Sequence, residues 1–331
     1  MTMNSPSSDL PPLLAGIQSP DDVKALSPEQ LPELAAEIRR TLVHTLASTG
    51  GHLAPNLGVV ELSIALHRVF NTPQDKILFD VSHQCYVHKM LTGRAAALGT
   101  IRQFEGLSGF CKRSESEHDA FGAGHAGTAL SAGVGIAAAR DLAGEDFNVI
   151  SVVGDGAFTG GMIHEALNNC SKDIKKLIII LNENEMSISK NIGRFAKNMA
   201  KLRKKTGYFN AKRFTGRVIS KIPFIGKPLF SLMRKAKKYF KNALYGSNYF
   251  EDLGLYYLGP ADGNNFADIV ALIKEAKKAG ESVIIHVKTQ KGKGYEPAET
   301  SPGAYHGVRP AGVEESETSF SHEFGRILCD M

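Results

Sequence analysis

The chain has 331 residues, of which 43% are hydrophobic and 22% charged, with a net charge of +5. That length supports a large α/β domain with additions, and no apolar run approaches the ~20 residues of a membrane span. Cys85, Cys111, Cys170 and Cys329 form no CxxC pair, and the N-terminus lacks a charged stretch leading into an apolar one. A reduced, cytoplasmic protein without a secretory signal is expected.

In chain order, the Pro/Ser-rich residues 1–26 predict a mobile tail. Ser27-Pro28-Glu29 reads as a helix start, with Ser as N-cap and Pro at the first position. Leu31, Leu34, Ile38, Leu42 and Leu46 follow at helical spacing. The stretch 50–58 reads as a Gly/Pro turn and 59–70 as a second helix. ILFDV (77–81) reads as a strand, 83–93 as a short helix and 98–124 as irregular. The small residues from Gly124 to Arg140 suggest a tightly packed helix. NVISVV (148–153), KLIIIL (176–181), YYLG (256–259) and SVIIHVKT (282–289) read as strands, with helices at 160–169 and 266–280. Strands alternating with helices predict a doubly wound, mainly parallel sheet covered on both faces.

The charge is unevenly spread. From Met186 to Phe250 there is no Asp or Glu, while basic residues recur from Lys190 to Lys241. Such a block suits polyanions or anionic surfaces. It also interrupts the α/β pattern without steady periodicity, so a solvated insertion at 190–248 is the preferred reading. Nucleic acid is not expected as a partner.

The densest chemistry lies at two strand ends. NVISVV runs into Gly154-Asp155-Gly156, and KLIIIL runs into Asn182-Glu183-Asn184. Asp155 and Asn184 are 29 positions apart, each just past a predicted strand, where open α/β sheets place ligands. A carboxylate and an amide oxygen suit a hard divalent cation that keeps phosphate oxygens as partners. The flanking glycines allow close backbone approach, and a following helix N-terminus favours an anion. Asp-Gly by itself is more often a turn; the pairing of two strand ends at this spacing raises it above that.

His52, His83, His125 and His306 each sit at a polar turn or strand end. Singly, each is more often a packing histidine; together they suggest one cleft with acid–base groups. None shows ligand spacing with a cysteine, so no zinc site is expected from them.

Six segments occur together and in order: TGGHLAPNLGVVEL (49–62), DVSHQCYVHKMLTGR (80–94), SESEHDAFGAGHAGTALS (114–131), GDGAFTGGMIHEALNN (154–169), LNENEMSIS (181–189) and KGKGYEPAE (291–299). In this the chain resembles the N-terminal half of the 1-deoxy-D-xylulose-5-phosphate synthase family, thiamine diphosphate enzymes of the transketolase-like superfamily. The resemblance implies that Asp155, the Asn184 side chain and the Met186 carbonyl hold Mg²⁺. It implies that Gly156 and Ala157 contact the diphosphate, and that His83, Gly124, His125 and Ala126 line the cofactor channel. Tyr295 would close over the cofactor, and His52 and His306 would face the substrates, pyruvate and D-glyceraldehyde 3-phosphate.

The chain departs from the family pattern at several positions. Ala126-Gly127 stands where the family has two serines, Cys85 and Val87 replace a small residue and a proline, and Cys111 sits where proline is common. His118 replaces a tyrosine and Asn264 a histidine. None removes a metal ligand. Residues 27–311 would form the cofactor domain, and 312–331 a linker and the opening of a pyrimidine-binding domain. The resemblance therefore implies a separately encoded second-half chain, and dimerisation. The alternatives are the N-terminal subunit of a split transketolase and a non-catalytic protein that binds polyanions.

Overall fold

The computed structural model describes residues 10–170, 174–184, 249–312 and 320–331. Met186 and the basic insertion expected at 190–248 lie outside the described residues. The centre is a five-stranded, wholly parallel sheet of β1 (Lys76–Phe79), β2 (Val149–Gly154), β3 (Leu177–Glu183), β4 (Tyr256–Asp262) and β5 (Val283–Lys288). The spatial order is β1-β2-β3-β5-β4.

The apolar runs explain the burial. A parallel sheet is covered on both faces, so its strands carry hydrophobic side chains at every position rather than at alternate ones. In β3, Ile178 and Ile180 join one core, while Leu177, Ile179 and Leu181 join the other. The first core is closed by α1 (Pro12–Ala15), α2 (Pro20–Ala25), α3 (Leu31–Thr49), α4 (Ala54–Gly58), α5 (Val60–Val69), α6 (Tyr86–Lys89) and α10 (Phe266–Ala279). The second is closed by α7 (Thr128–Ala143), α8 (Gly161–Asn168) and α9 (Tyr249–Asp252). Each fully buried Leu or Ile contributes ~1.5–3 kcal/mol.

Several local expectations change. Residues 12–25 are not a mobile tail: α1 and α2 form there and bury Leu14 and Val23 against α3 and α5. A capping box between Ser19 and Asp22 starts α2. Apolar side chains were hidden among the prolines and serines, and composition outweighed them. Helix α3 begins at Leu31, not after Ser27. Ser27 accepts no cap bond; its backbone N–H instead donates to the Gln30 side chain at 2.9 Å, closing a turn. The 50–58 turn contains α4, whose Pro55 occupies an early helical position. The helix expected over 83–93 is α6 followed by a π turn ending near Gly93, whose φ of 84° stops it.

Beyond β5, α11 (Glu296–Thr300) leads into a loop pinned by antiparallel bridging of Gly51 to Val308. Gly51 has a φ of 136°, and a Cβ there would lie 3.1 Å from the Tyr86 hydroxyl. Only glycine fits. Helix α12 (Phe320–Asp330) carries exposed Phe320, Phe324, Ile327 and Leu328. No helix among the described residues is long and apolar enough to cross a membrane.

Helix α7 lies directly on β2 through Gly133. A Cβ at Gly133 would sit 2.2 Å from Ser151 Oγ, itself bonded to the Ala129 carbonyl at 3.1 Å. Gly133→Ala is expected to destabilise the chain by ~1–3 kcal/mol through overpacking. Ser151→Ala in the same chain should recover part of that, because the Ser151 Cβ is 3.6 Å away. A double-mutant cycle by urea denaturation checks this; strict additivity would show that the two sites do not meet.

Candidate active site at the carboxyl edge of the sheet

All five strands run parallel, so their carboxyl ends share one edge. Gly154 of β2 stands opposite Asn182 of β3, and the Asp155 N–H donates to the Asn182 carbonyl at 3.0 Å. Asp155 and Asn184 thus leave neighbouring strands at that edge. The Asp155 carboxylate is buried and accepts the Gly156 N–H at 3.0 Å. The Asn182 side-chain oxygen accepts the Thr289 hydroxyl at 2.7 Å, tying the β3 end to the segment after β5.

Between Asn182 and Asn184, Glu183 turns into the protein. His286 Nε2 donates to Glu183 at 2.8 Å, and the Tyr257 hydroxyl donates to His286 Nδ1 at 2.8 Å. His286 is fully buried. This chain of three was invisible in the sequence, where His286 reads only as a strand residue. Glu183, Asn184, Thr289, Gln290 and Lys291 line a cleft of about 330 Å³, at the lower end of the small-ligand range.

Three histidines expected in one cleft do meet. The His52 ring centroid lies 5.3 Å from that of His83 and 5.7 Å from that of His306, with His83 and His306 5.2 Å apart. They arrive from three loops. Asn56, fully buried, ties two of these together: its amide donates to the carbonyls of His52 at 2.7 Å and His83 at 2.8 Å. Its side-chain oxygen accepts the Tyr86 N–H at 2.8 Å. His83 follows Val81 and Ser82, both at positive φ (57° and 65°). A β-branched residue there is an outlier, and such strain costs ~1–3 kcal/mol per residue and clusters at functional sites.

Hydrogen bonds hold these rings. The His52 backbone N–H donates to the Tyr86 hydroxyl oxygen at 3.3 Å, and that hydroxyl also lies 3.3 Å from His52 Nδ1. The Lys291 ammonium donates to His306 Nδ1 at 3.0 Å. An ammonium only donates, so the neutral His306 imidazole carries its proton on Nε2. Lys291, Tyr86 and Asn56 were not singled out in the sequence, since each works through a partner distant along the chain.

His125 does not join this cluster: it is exposed, and its carbonyl accepts the Thr128 hydroxyl at 3.0 Å. Ala126 is exposed beside it. Gly124 has a φ of 143°, with nothing within 4 Å of a Cβ placed there. The turn is held at Gly127 and Ala129, whose N–H groups donate to Asp80 at the end of β1. Gly156 and Ala157 follow Asp155 in the turn leading to α8. Tyr295 is not at the histidines. It stacks edge-on against Tyr305, with centroids 5.8 Å apart, and faces a groove beside Arg39 and Val43 of α3.

Burial pushes the imidazoles down, to about 4 for His52 and His306 and to about 3 for His83, with neighbouring positive charge adding to it. All three are neutral at pH 7. A depressed histidine lets the unfolded chain take up protons that the folded chain refuses. Stability is therefore flat above about pH 6.5 and falls as the pH drops from there toward 4. Urea unfolding between pH 7 and pH 5 is expected to show this loss, and His83→Gln should reduce its slope by about one proton. An unchanged slope would mean that His83 is not held neutral.

Comparison with known proteins agrees with this architecture. A family model described as 1-deoxy-D-xylulose-5-phosphate synthase matches residues 14–289. The chain is 49% identical over 325 residues to the 1-deoxy-D-xylulose-5-phosphate synthase of Caldanaerobacter subterraneus, covering 96% of this chain and 52% of that one. It is 48% identical to that of Desulforudis audaxviator, covering 96% and 51%. Among solved structures, transketolase from Campylobacter jejuni superposes with a TM-score of 0.61 at 18% identity, covering 86% of this chain and 41% of that one. That likeness is one of fold. The chain spans about half the length of the curated relatives it matches, and it belongs to the 1-deoxy-D-xylulose-5-phosphate synthase family.

Proposed function

We propose that this chain is the thiamine diphosphate-binding half of a 1-deoxy-D-xylulose-5-phosphate synthase, joining two carbons of pyruvate to D-glyceraldehyde 3-phosphate with loss of CO₂. The observation that carries this is the pairing of Asp155 and Asn184 on adjacent strand ends, beside three neutral histidines. The residues fit the group. A carboxylate and an amide oxygen form a hard-cation donor set, and Gly154 and Gly124 leave space where a Cβ would meet nothing.

In this reading Asp155, the Asn184 side chain and the Met186 carbonyl hold Mg²⁺. Gly156 and Ala157 offer backbone N–H groups to the diphosphate. His83, Gly124, His125 and Ala126 line the channel. Thiamine diphosphate, when bound, supplies a nucleophilic carbon and an electron sink for the decarboxylation. His52 offers a ring N–H and His306 its Nε2–H to oxygens of a 2-oxo acid or sugar phosphate. Their burial keeps them uncharged, so they act as hydrogen-bond donors to those oxygens rather than as acids. Lys291 holds the His306 ring by its Nδ1. Tyr295 props Tyr305 in the loop that carries His306. A second chain supplying the remaining length of the family, dimerisation and a cytoplasmic setting belong to the same reading. The four unpaired cysteines support a reducing compartment.

Calorimetric titration with thiamine diphosphate is expected to give Mg²⁺-dependent binding, weakened more than ~100-fold in Asp155→Ala, beyond the usual effect of an outer-sphere change. A folded wild-type chain that takes up no cofactor would count against the reading. Mixed with a chain carrying the C-terminal half of the Caldanaerobacter relative, the protein should make 1-deoxy-D-xylulose 5-phosphate, and His52→Ala and His306→Ala should each lower that rate by ~10²–10⁴-fold. Turnover of ketose phosphates in place of pyruvate would favour a transketolase.

A further inference from the structure

Strands covered on both faces carry apolar side chains at almost every position. Glu183, the last residue of β3, and His286 of β5 break that pattern together. Each lies two residues beyond a member of the second core, Leu181 and Ile284, and so on the same face of the sheet. His286 is fully buried and Glu183 is 3% exposed. Tyr257 of β4, itself in the second core, completes the row. His286 Nε2 lies 2.8 Å from the Glu183 carboxylate, and His286 Nδ1 lies 2.8 Å from the Tyr257 hydroxyl. One diagonal of hydrogen bonds thus crosses three neighbouring strands, β3, β5 and β4. Burial pushes the Tyr257 phenol above its ordinary range, so its hydroxyl keeps its proton. Phe250 of α9 stacks on the Tyr257 ring, with centroids 5.9 Å and planes 5° apart.

A buried polar pair of this kind is a poor source of stability. Taking both groups out of water costs about what their attraction returns, and apolar residues of similar volume do as well or better. Its place in the sheet gives it another use. The register of β2 with β3 ends where Gly154 faces Asn182, while β5 runs one residue further and sets Lys288 opposite Glu183. Among the described residues, the ladder past Asn182 therefore continues toward β5 alone. There the Thr289 N–H donates to the Glu183 carbonyl at 3.0 Å. The Glu183 side chain adds a second hold on the same residue, directed into the core. The next residue is Asn184.

We propose that Glu183, His286 and Tyr257 are positioning residues for the divalent cation: they fix the end of β3 so that Asn184 presents its amide oxygen beside Asp155. The inference rests on the metal role proposed for Asn184. The three act through the backbone between Glu183 and Asn184 and are not themselves ligands. His286 suits the middle of the row, because a neutral imidazole donates from one nitrogen and accepts at the other, and its ring cannot bend between them. Linked hydrogen bonds in a dry interior strengthen one another. A strand end ordered in advance spares the cation the cost of ordering it on binding. Outer partners of this kind orient the groups that touch a metal and tune its affinity.

The test is calorimetric titration of the full-length chain with thiamine diphosphate at a series of Mg²⁺ concentrations, beside thermal unfolding. A triple variant, Glu183→Leu with His286→Leu and Tyr257→Phe, is expected to keep the wild-type thermal midpoint or exceed it. It should nevertheless need ~10–100-fold more Mg²⁺ for half-maximal cofactor uptake, and recover wild-type uptake once Mg²⁺ saturates. Tyr257→Phe alone should raise the Mg²⁺ requirement ~3–10-fold, the worth of one hydrogen bond. Glu183→Gln keeps an oxygen acceptor for His286 and should stay within ~3-fold of wild type. An unchanged Mg²⁺ requirement in the triple variant, or a loss that persists at saturating Mg²⁺ and follows a lowered thermal midpoint, would overturn the proposal and leave the cofactor reading standing. A folded wild-type chain without Mg²⁺-dependent uptake would overturn both. If the triple variant does not fold, Tyr257→Phe and Glu183→Gln decide the matter.

Discussion

The bond on which the site depends is the one from the Asp155 N–H to the Asn182 carbonyl, the last rung between β2 and β3. Above it the two strands are locked by apolar burial on both faces and carry no chemistry. Beyond it the ladder ends, the chain turns, and the first polar side chains emerge. A parallel sheet brings all such ends to one edge, so a carboxylate and an amide 29 positions apart in sequence become neighbours. The Thr289–Asn182 and His286–Glu183 hydrogen bonds add the end of β5 to the same assembly. A one-residue slip between β2 and β3 would move Asp155 away from Asn184 and turn each strand's side chains to the wrong core.

A second constraint is electrostatic. Three imidazoles lie within 5.2–5.7 Å of one another, centroid to centroid, beside Lys291. In water they would be partly protonated near pH 6.5. Burial keeps them neutral, and the Lys291 hydrogen bond chooses which nitrogen of His306 carries the proton. That arrangement works against stability in acid. It is sustained by the buried Asn56, by the Gly51–Val308 bridge and by the strained turn at Val81 and Ser82. The fold thus places polar, strained backbone at the edge where the apolar strands end, rather than within them.

The cysteine–histidine–aspartate cluster lies next to this edge in sequence and structure. His88, Cys111 and Asp119 are all buried there. Ser82 joins the regions as well, since its hydroxyl accepts the Cys111 N–H at 2.8 Å. Anything that tightens the 98–124 segment on α6 is therefore felt at the turn carrying His83.

Much of this was legible in the sequence, for physical reasons. Unbroken apolar runs mark strands buried on both faces, and helical periodicity marked α3, α5 and α10, because burial acts on every residue of those elements. Asp155 and Asn184 stood out because they end such runs, and the six ordered segments named the family. Where local signals competed, the sequence misled: Ser27-Pro28 gave a turn rather than a helix start, and α1 and α2 formed in a stretch whose composition suggested mobility. Only the tertiary structure decided which histidines meet, leaving His125 outside and turning Tyr295 toward α3. It alone revealed Lys291, Asn56, the Tyr257–His286–Glu183 chain and the buried His88–Asp119–Arg94 network. Those contacts join residues from separate loops, and spacing along a chain carries no information about pairs whose meeting is arranged by the packing of the elements between them.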